Sequence, residues 1–276
     1  MMSIRCGLCP HNCLLQENQV GLCRARINRQ GAVVAENYGR ITSIALDPIE
    51  KKPLYHFYPG SKILSVGSYG CNLFCSFCQN YRISTASAKD VSYRKLSPEQ
   101  LVETAKQYSP RGNIGLAFTY NEPIVGYEYI VDCARLAKQE GQKVVVVTNG
   151  CFYTEPLEAL WPLVDAFNID LKGFTEAFYT KMGGALEVVK QFIARAAALS
   201  HVEVTTLIIP DENDGLEEMR ALSAWIASVD KKIPLHISRF FPMYKMVDKS
   251  PTDVEKIMEL QKTAQENLEF VYRGNC

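Results

Sequence analysis

Residues 63–78 read ILSVGSYGCNLFCSFC: a short apolar run, two glycines, then cysteines at positions 71, 75 and 78. The run Ile63–Val66 reads as a β-strand, which places the cysteines on the loop beyond its C-terminal end. Gly67 and Gly70 tolerate positive φ and let such a loop fold tightly. Three thiolates on one short loop can ligate three irons of a cubane cluster, leaving the fourth iron without a protein ligand. An open metal position is where substrate binds at catalytic metal sites generally. Two blander readings stand beside this one. Zinc would need a fourth ligand, for which His56 is the candidate near in sequence. Three ordinary core cysteines would be an unusual density for eight residues between a strand and a helix.

Outward from this motif the chain is regular. Short apolar runs recur at Ile63–Val66, Ile114–Tyr120, Val144–Thr148, Ala166–Leu171, Val202–Ile209 and Leu235–Phe240. Between and after them lie amphipathic segments: Pro98–Tyr108, Val125–Glu140, Glu155–Val164, Leu186–Leu199, Leu216–Val229 and Thr252–Asn267. Ser97 is placed to cap a helix with Pro98 at its first position, and Gly141 sits where a C-cap belongs. VVVV at 144–147 is apolar on both faces, as expected of a parallel strand covered by helices. Six strand–helix alternations give a parallel sheet with right-handed crossovers, either doubly wound or a partial barrel. Both architectures put functional residues at the C-terminal ends of the strands. The runs are followed by GSYGCN, NEP, NG, KG, PDEND and FPMYK, so polar and special residues do cluster there.

The N-terminal part has a different composition. Cys6, Cys9, Cys13 and Cys23 form a second tight group among ten cysteines, and Cys133, Cys151 and Cys276 are scattered. Four thiolates suffice for a closed tetrahedral site, and zinc and an iron–sulfur cluster both fit, with His11 as a substitute ligand. A closed site would stabilise a short cap with little core of its own. Residues 32–38 (AVVAENY) and 41–46 (ITSIAL) read as a β-hairpin around Gly39-Arg40. The expected division is a Cys-rich metal-binding cap with this hairpin over residues 1–60, and an α/β unit over residues 61–276. The segment DPIEKKPLYHFYPGS between them reads as a polar connection.

An apolar share of 47% supplies a sizeable core, and 30 basic against 30 acidic residues leave no polyelectrolyte signal for nucleic acid. No apolar run reaches membrane-spanning length, and the opening MMSIRCGLCPHNC lacks the apolar region of a signal peptide. A disulfide framework would need a secreted context, so a cytoplasmic protein is expected.

The motif C-x3-C-x2-C after a first strand resembles the signature of the radical SAM superfamily. The similarity continues through CGLCPHNC, GCNLFCSFCQN, FTYNEP, VTNG, NIDLKG and HISRFFPMYKM, in that order along the chain. Within the superfamily the chain is similar to the pyruvate formate-lyase activating enzyme group. It most resembles the radical SAM enzyme of the system encoded beside AMMECR-like and Memo-like proteins (AmmeMemoRadiSam).

This resemblance implies an α/β fold, a partial (β/α)6 barrel. It implies a [4Fe–4S] cluster on Cys71, Cys75 and Cys78 whose open iron chelates S-adenosylmethionine. One electron would cleave the cofactor to methionine and a 5′-deoxyadenosyl radical, which takes hydrogen from a substrate. Phe77 would lie against the adenine. Asn121-Glu122 would meet the methionine amino group, with Tyr120 and Asn121 standing where the family has two glycines. Thr148, Asn149, Asp170 and Lys172 would hold the ribose and the methionyl carboxylate. Val147 replaces an aspartate of a monovalent-cation site, and a histidine contacting the cofactor is replaced near Tyr244. The electron donor would be a reductant such as flavodoxin or ferredoxin. The substrate would be a small molecule, one shared with Memo-like and AMMECR-like proteins, or the glycine of a glycyl radical enzyme. A non-catalytic electron-transfer protein is the reading from another class.

Among the remaining residues, Cys133 is expected to be a small core residue and Cys151 a packed one. His201 and His236 are expected to be packed and hydrogen-bonded. Arg239 and Lys245, beyond the last run, are either receivers of an anionic substrate or rim charges.

Overall fold

A computed structural model describes residues 3–276. The N-terminal third opens with short antiparallel pairs: β1 (Ile4–Arg5) with β2 (Leu14–Leu15), and β3 (Arg26–Arg29) with β4 (Ala32–Ala35). β5 (Arg40–Ile41) pairs with β8 (Arg94–Lys95). The main sheet comprises β6 (Ser43–Pro48), β7 (Lys62–Gly67), β9 (Asn113–Phe118), β10 (Lys143–Thr148), β11 (Ala166–Asp170), β12 (His201–Ile208), β13 (Leu235–Arg239) and β14 (Val271–Gly274). These eight strands lie side by side in chain order. β6 runs antiparallel to β7, and all other neighbours are parallel. The strand order never reverses, so the doubly wound alternative falls. The edge strands β6 and β14 do not pair with each other.

The helices are α1 (Tyr81–Ser84), α2 (Pro98–Gln107), α3 (Tyr127–Gln139), α4 (Glu176–Lys181), α5 (Leu186–Ala197), α6 (Leu216–Asp230) and α7 (Val254–Gln265). α2 starts as its sequence asks. The Ser97 hydroxyl accepts from the Gln100 amide, the Gln100 side chain accepts from the Ser97 amide, and Pro98 fills the first position. Gly141 follows α3 at φ +68°.

Strand side chains alternate between two faces. Leu64 and Val66, Leu116 and Phe118, Val144 and Val146, Phe167 and Ile169, and Leu235 and Ile237 join the main core together with the helices. The opposite face packs differently. Ile63, Ala117, Val145 and Ala166 meet Ile49, Leu54 and Phe57. The segment 49–57 is therefore a strap across the N-terminal ends of the strands, not a loose polar connection.

Three expectations need correction. The hairpin around Gly39-Arg40 does not form. Gln30 (φ +53°) and Gly31 (φ +79°) turn the chain instead, as a primed turn between β3 and β4 requires. Ser43–Pro48 becomes an edge strand of the main sheet. Glu155–Val164 is not an α-helix but two 3-10 turns, Glu155–Leu157 and Trp161–Leu163. Pro156 and Pro162 remove the amide donors a longer helix would need. Finally, VVVV is covered by helices on one face only. Val145 packs on the strap and Val147 lines a cavity. β14 and α4 are additions that the periodicity did not mark.

Candidate active site

The loop carrying CNLFCSFC is held from three sides. The Cys71 amide donates to the Cys23 carbonyl at 3.1 Å, and the Phe74 amide to the Met182 carbonyl at 2.9 Å. The Lys245 amide donates to the Ser76 carbonyl at 3.0 Å, and Tyr244 stacks on Tyr81 with centroids 4.6 Å apart. From inside, the Asn121 amide nitrogen reaches the Tyr69 and Gly70 carbonyls at 3.1 Å, and its oxygen accepts from the Ser68 amide at 2.9 Å. Asn121 thus spends its polar atoms on the cysteine loop, although it borders the cavity.

Cys71, Cys75 and Cys78 open onto one cavity of about 520 Å³ that Phe77, Asn121, Glu122, Thr148, Asn149, Asp170 and Lys172 also line. The structure therefore brings together all ten residues that the sequence assigned to this chemistry. Glu122 is buried. Its carboxylate accepts from the Thr148 hydroxyl at 2.8 Å, the Asn149 amide at 2.8 Å and the Ile124 amide at 3.0 Å. Burial pushes its carboxyl up to about 7 against those three donors. Lys172 pairs with Asp170 at 3.0 Å, and its ammonium lies 5.9 Å from the Phe77 ring centre. Burial alone would lower the Lys172 ammonium, but Asp170 and the Cys75 sulfur beside it hold it raised. Phe77 itself stacks on Phe178 with centroids 6.3 Å apart.

Tyr120 stands at φ +73°, a conformation suited to glycine. It is kept there by its hydroxyl, 2.7 Å from Asp47, and by Lys52, whose ammonium lies 5.0 Å from the ring centre. Lys52 in turn pairs with Asp47 at 2.7 Å. A left-handed backbone at a tyrosine costs about 1–2 kcal/mol.

A cluster fits the three cysteines on the structure's own evidence. The Cys71 sulfur faces the Leu73 amide at 3.4 Å and the Asn149 side-chain amide at 3.6 Å, donors that would stabilise a thiolate. Burial raises the Cys71 thiol well above its ordinary value and Cys75 to about 11. Bound metal is what would keep such buried sulfurs deprotonated. Among the described residues no three Cys, His, Asp or Glu side chains converge on a single-ion position. Ligands to different irons of one cluster need not converge that way.

The second group, Cys6, Cys9, Cys13 and Cys23, gathers with Arg26 and Phe152 around a cavity of about 10 Å³. None forms a disulfide. Burial pushes Cys9 up to about 12. His11 lies at this cavity too, but its ring nitrogen is 2.7 Å from the Asn72 carbonyl on the cysteine loop. His56 bonds the Tyr272 hydroxyl at 2.6 Å and does not border the cavity of Cys71. That removes the fourth zinc ligand suggested for the central motif. Cys133 is buried within α3, Cys151 is buried, and Cys276 is exposed.

Arg239 donates to the Thr252 carbonyl at 2.6 Å, and neither it nor Lys245 borders the cavity. His201 and His236 are hydrogen-bonded as expected, both to Glu203. Glu203 escaped the sequence reading. A single acid inside the apolar strand HVEVTTLI was its signal.

Comparisons with known proteins bear on the family and the fold. The Radical SAM superfamily model matches residues 65–223, more than half of the chain. An uncharacterized protein of Methanocaldococcus jannaschii is 41% identical over 276 residues, covering 99% of this chain and 81% of that one. A pyruvate formate-lyase-activating enzyme of Clostridium pasteurianum is 26% identical over 217 residues, covering 72% of this chain and 89% of that enzyme. Among solved structures, Streptococcus suis SuiB bound to S-adenosylmethionine superposes with a TM-score of 0.60 at 13% identity, over 75% of this chain and 48% of that one. The family match sets aside the non-catalytic reading. No described helix is long and apolar enough to cross a membrane. The chain belongs to the radical SAM superfamily, a family of radical-generating enzymes.

Proposed function

We propose that the chain cleaves S-adenosylmethionine reductively and passes the radical to a small-molecule substrate. The observation that carries this reading is the common cavity of Cys71, Cys75 and Cys78 with Glu122, Asp170 and Lys172. A [4Fe–4S] cluster on the three cysteines, given one electron, would supply the cleavage to methionine and a 5′-deoxyadenosyl radical. The protein's part is binding and orientation. Buried Glu122 and half-buried Asp170 suit a cationic amino group, and Lys172 suits a carboxylate. Thr148 and the Asn149 amide hold Glu122 at its post, while Phe77 offers a flat apolar wall. In this reading the open sheet is a partial (β/α)6 barrel of residues 61–276, with residues 1–60 as its metal-bearing cap and β6 as an added edge strand.

A cavity of about 520 Å³ has the size of a small-molecule site, which supports a small substrate. The cap reaches the cysteine loop through Cys23, and residues 241–250 reach it through Lys245. Membership of the AMMECR- and Memo-associated system, with a flavodoxin or ferredoxin as donor, belongs to the same proposal, as does a second metal centre on Cys6, Cys9, Cys13 and Cys23. A second reading, activation of a glycyl radical enzyme, draws on the Clostridium pasteurianum relative.

The test is anaerobic reconstitution with iron and sulfide, reduction by dithionite, and chromatography for 5′-deoxyadenosine. The nucleoside is expected in step with methionine. An intact cluster with bound cofactor and no nucleoside would end the proposal. A glycine-centred radical on a partner protein, seen by electron paramagnetic resonance, would favour the second reading.

A further inference from the structure

Buried Glu203 lies on β12 two residues before Thr205, which lines the cavity, and is saturated with donors. One oxygen accepts from the His56 amide at 2.7 Å and contacts His201 Nε2 at 2.9 Å. The other accepts from the Tyr55 amide at 3.0 Å and contacts His236 Nε2 at 2.6 Å. Two of the four groups come from the strap, so this carboxylate ties the strap to β12 and β13.

Of the two histidines, only His236 borders the cavity that the cluster cysteines open onto. Its side chain is 3% exposed. A carboxylate offers only acceptors, so the Nε2 atom facing it carries the hydrogen. The other ring nitrogen, Nδ1, has no hydrogen-bond partner among the described residues. Tyr55 meets the ring edge-on at 4.7 Å and Tyr272 stacks on it at 5.5 Å, which fixes its plane.

The cavity's charges point to the kind of ligand. Its acids are Glu50, Glu122 and Asp170, and its bases are Lys51 and Lys172. Glu122, Asp170 and Lys172 are already engaged by the cofactor reading. What remains of the inner wall beside His236 is Thr205, Leu207 and Ser238, all uncharged. An anion finds no arginine there. A neutral, hydroxyl-bearing molecule finds an imidazole acceptor and the Ser238 hydroxyl, while the Thr205 hydroxyl is bonded to Asn168.

We propose that His236, oriented by Glu203, is a substrate-binding residue whose free ring nitrogen accepts a hydrogen bond from a small neutral polyol. This rests on the small-molecule reading given above.

Perdeuterated glycerol is the probe. The reconstituted enzyme is supplied with S-adenosylmethionine, dithionite and the probe, and the 5′-deoxyadenosine is weighed by mass spectrometry. If a C–D bond of bound glycerol breaks homolytically, one deuterium passes to C5′. The carbon radical left behind takes an electron from dithionite and a proton from water. The wild type is expected to give deuterated nucleoside, saturating with glycerol. In His236→Phe the deuterated fraction should fall at least tenfold, with iron content and total nucleoside within twofold. His236→Gln keeps both a donor toward Glu203 and an acceptor, and should stay within threefold of wild type in half-saturating glycerol. That variant also controls for folding. Nucleoside without deuterium in the wild type, or equal deuterium in His236→Phe, overturns the assignment of His236. Absence of any nucleoside overturns the cofactor reading beneath it.

Discussion

The backbone amide of Cys71 donates to the backbone carbonyl of Cys23 at 3.1 Å, joining the last cysteine of the N-terminal group to the first of the central one. The two cysteine groups, 48 positions apart in sequence, are therefore one structural unit. Gly70 permits the approach. It stands at φ +90°, and a Cβ there would meet the Cys23 carbonyl oxygen at 2.5 Å and Ala25 Cβ at 2.9 Å.

Gly70→Ala should therefore push the cap off the loop. The positive φ and the overlap with backbone together should cost about 2–4 kcal/mol. Thermal unfolding should move down by several degrees, and reconstituted iron should be lost faster to a chelator. A variant with wild-type melting and wild-type iron retention would show that the two groups are independent.

The cysteines should divide by role. Serine at position 71, 75 or 78 should remove the cluster's visible absorption and all 5′-deoxyadenosine formation. Alanine at Cys133, a buried residue of α3, should cost stability only and leave the cluster in place. A Cys6→Ala/Cys9→Ala double variant should lose one metal centre, while the Cys71 site still takes up iron but yields it faster to a chelator. Metal analysis decides, and unchanged zinc and iron in the double variant would dismiss the cap site.

The legible and illegible parts of the molecule differ in range. The six strands announced by apolar runs all form, because each run buries one face against a neighbouring helix and needs no distant information. Cys71, Cys75 and Cys78 were legible because eight residues contain the whole motif. Glu122 and Lys172 stand past the ends of strands and Asp170 ends one, which fits their role, but the role itself came from the family resemblance. The strap was not legible. Its order comes from Glu203 and Asn168 on β12 and β11, each over 100 residues away; Asn168 donates to the Pro53 carbonyl at 2.8 Å. The false hairpin around Gly39 failed for a related reason. β6 pairs with β7 across the strap, and local turn chemistry cannot reveal that partner.

Glu122 tests the cofactor site. Glutamine there would turn an amide group toward some of the donors that Thr148, Asn149 and Ile124 now present. It would also remove the one buried charge they surround. Losing a charged hydrogen-bond acceptor costs about 1.5–3 kcal/mol, so affinity for S-adenosylmethionine should fall roughly 10–100-fold. Equilibrium binding to the reconstituted enzyme measures this directly. Wild-type affinity in Glu122→Gln would mean that the carboxylate serves the fold and not the cofactor.

Glu203 makes the stability of the fold depend on pH in a defined window. Burial pushes its carboxyl up, but the donors from His201, His236, Tyr55 and His56 outweigh burial and hold it at about 2. An unfolded chain returns it to roughly 4.3. The native state therefore binds the proton less readily than the unfolded state. The contribution is fully present above pH 4–5 and is lost as pH falls toward 2. A shift of this size is worth about 3 kcal/mol. Wild-type protein should lose melting temperature steeply between about pH 4.5 and 2. Glu203→Gln should start lower at pH 7 and decline less across that window, because it has no proton to take up there. Parallel curves for the two proteins, with a constant gap down to pH 2, would place the acid sensitivity elsewhere, with Asp47 beside Lys52 as the next carboxylate held at about 2.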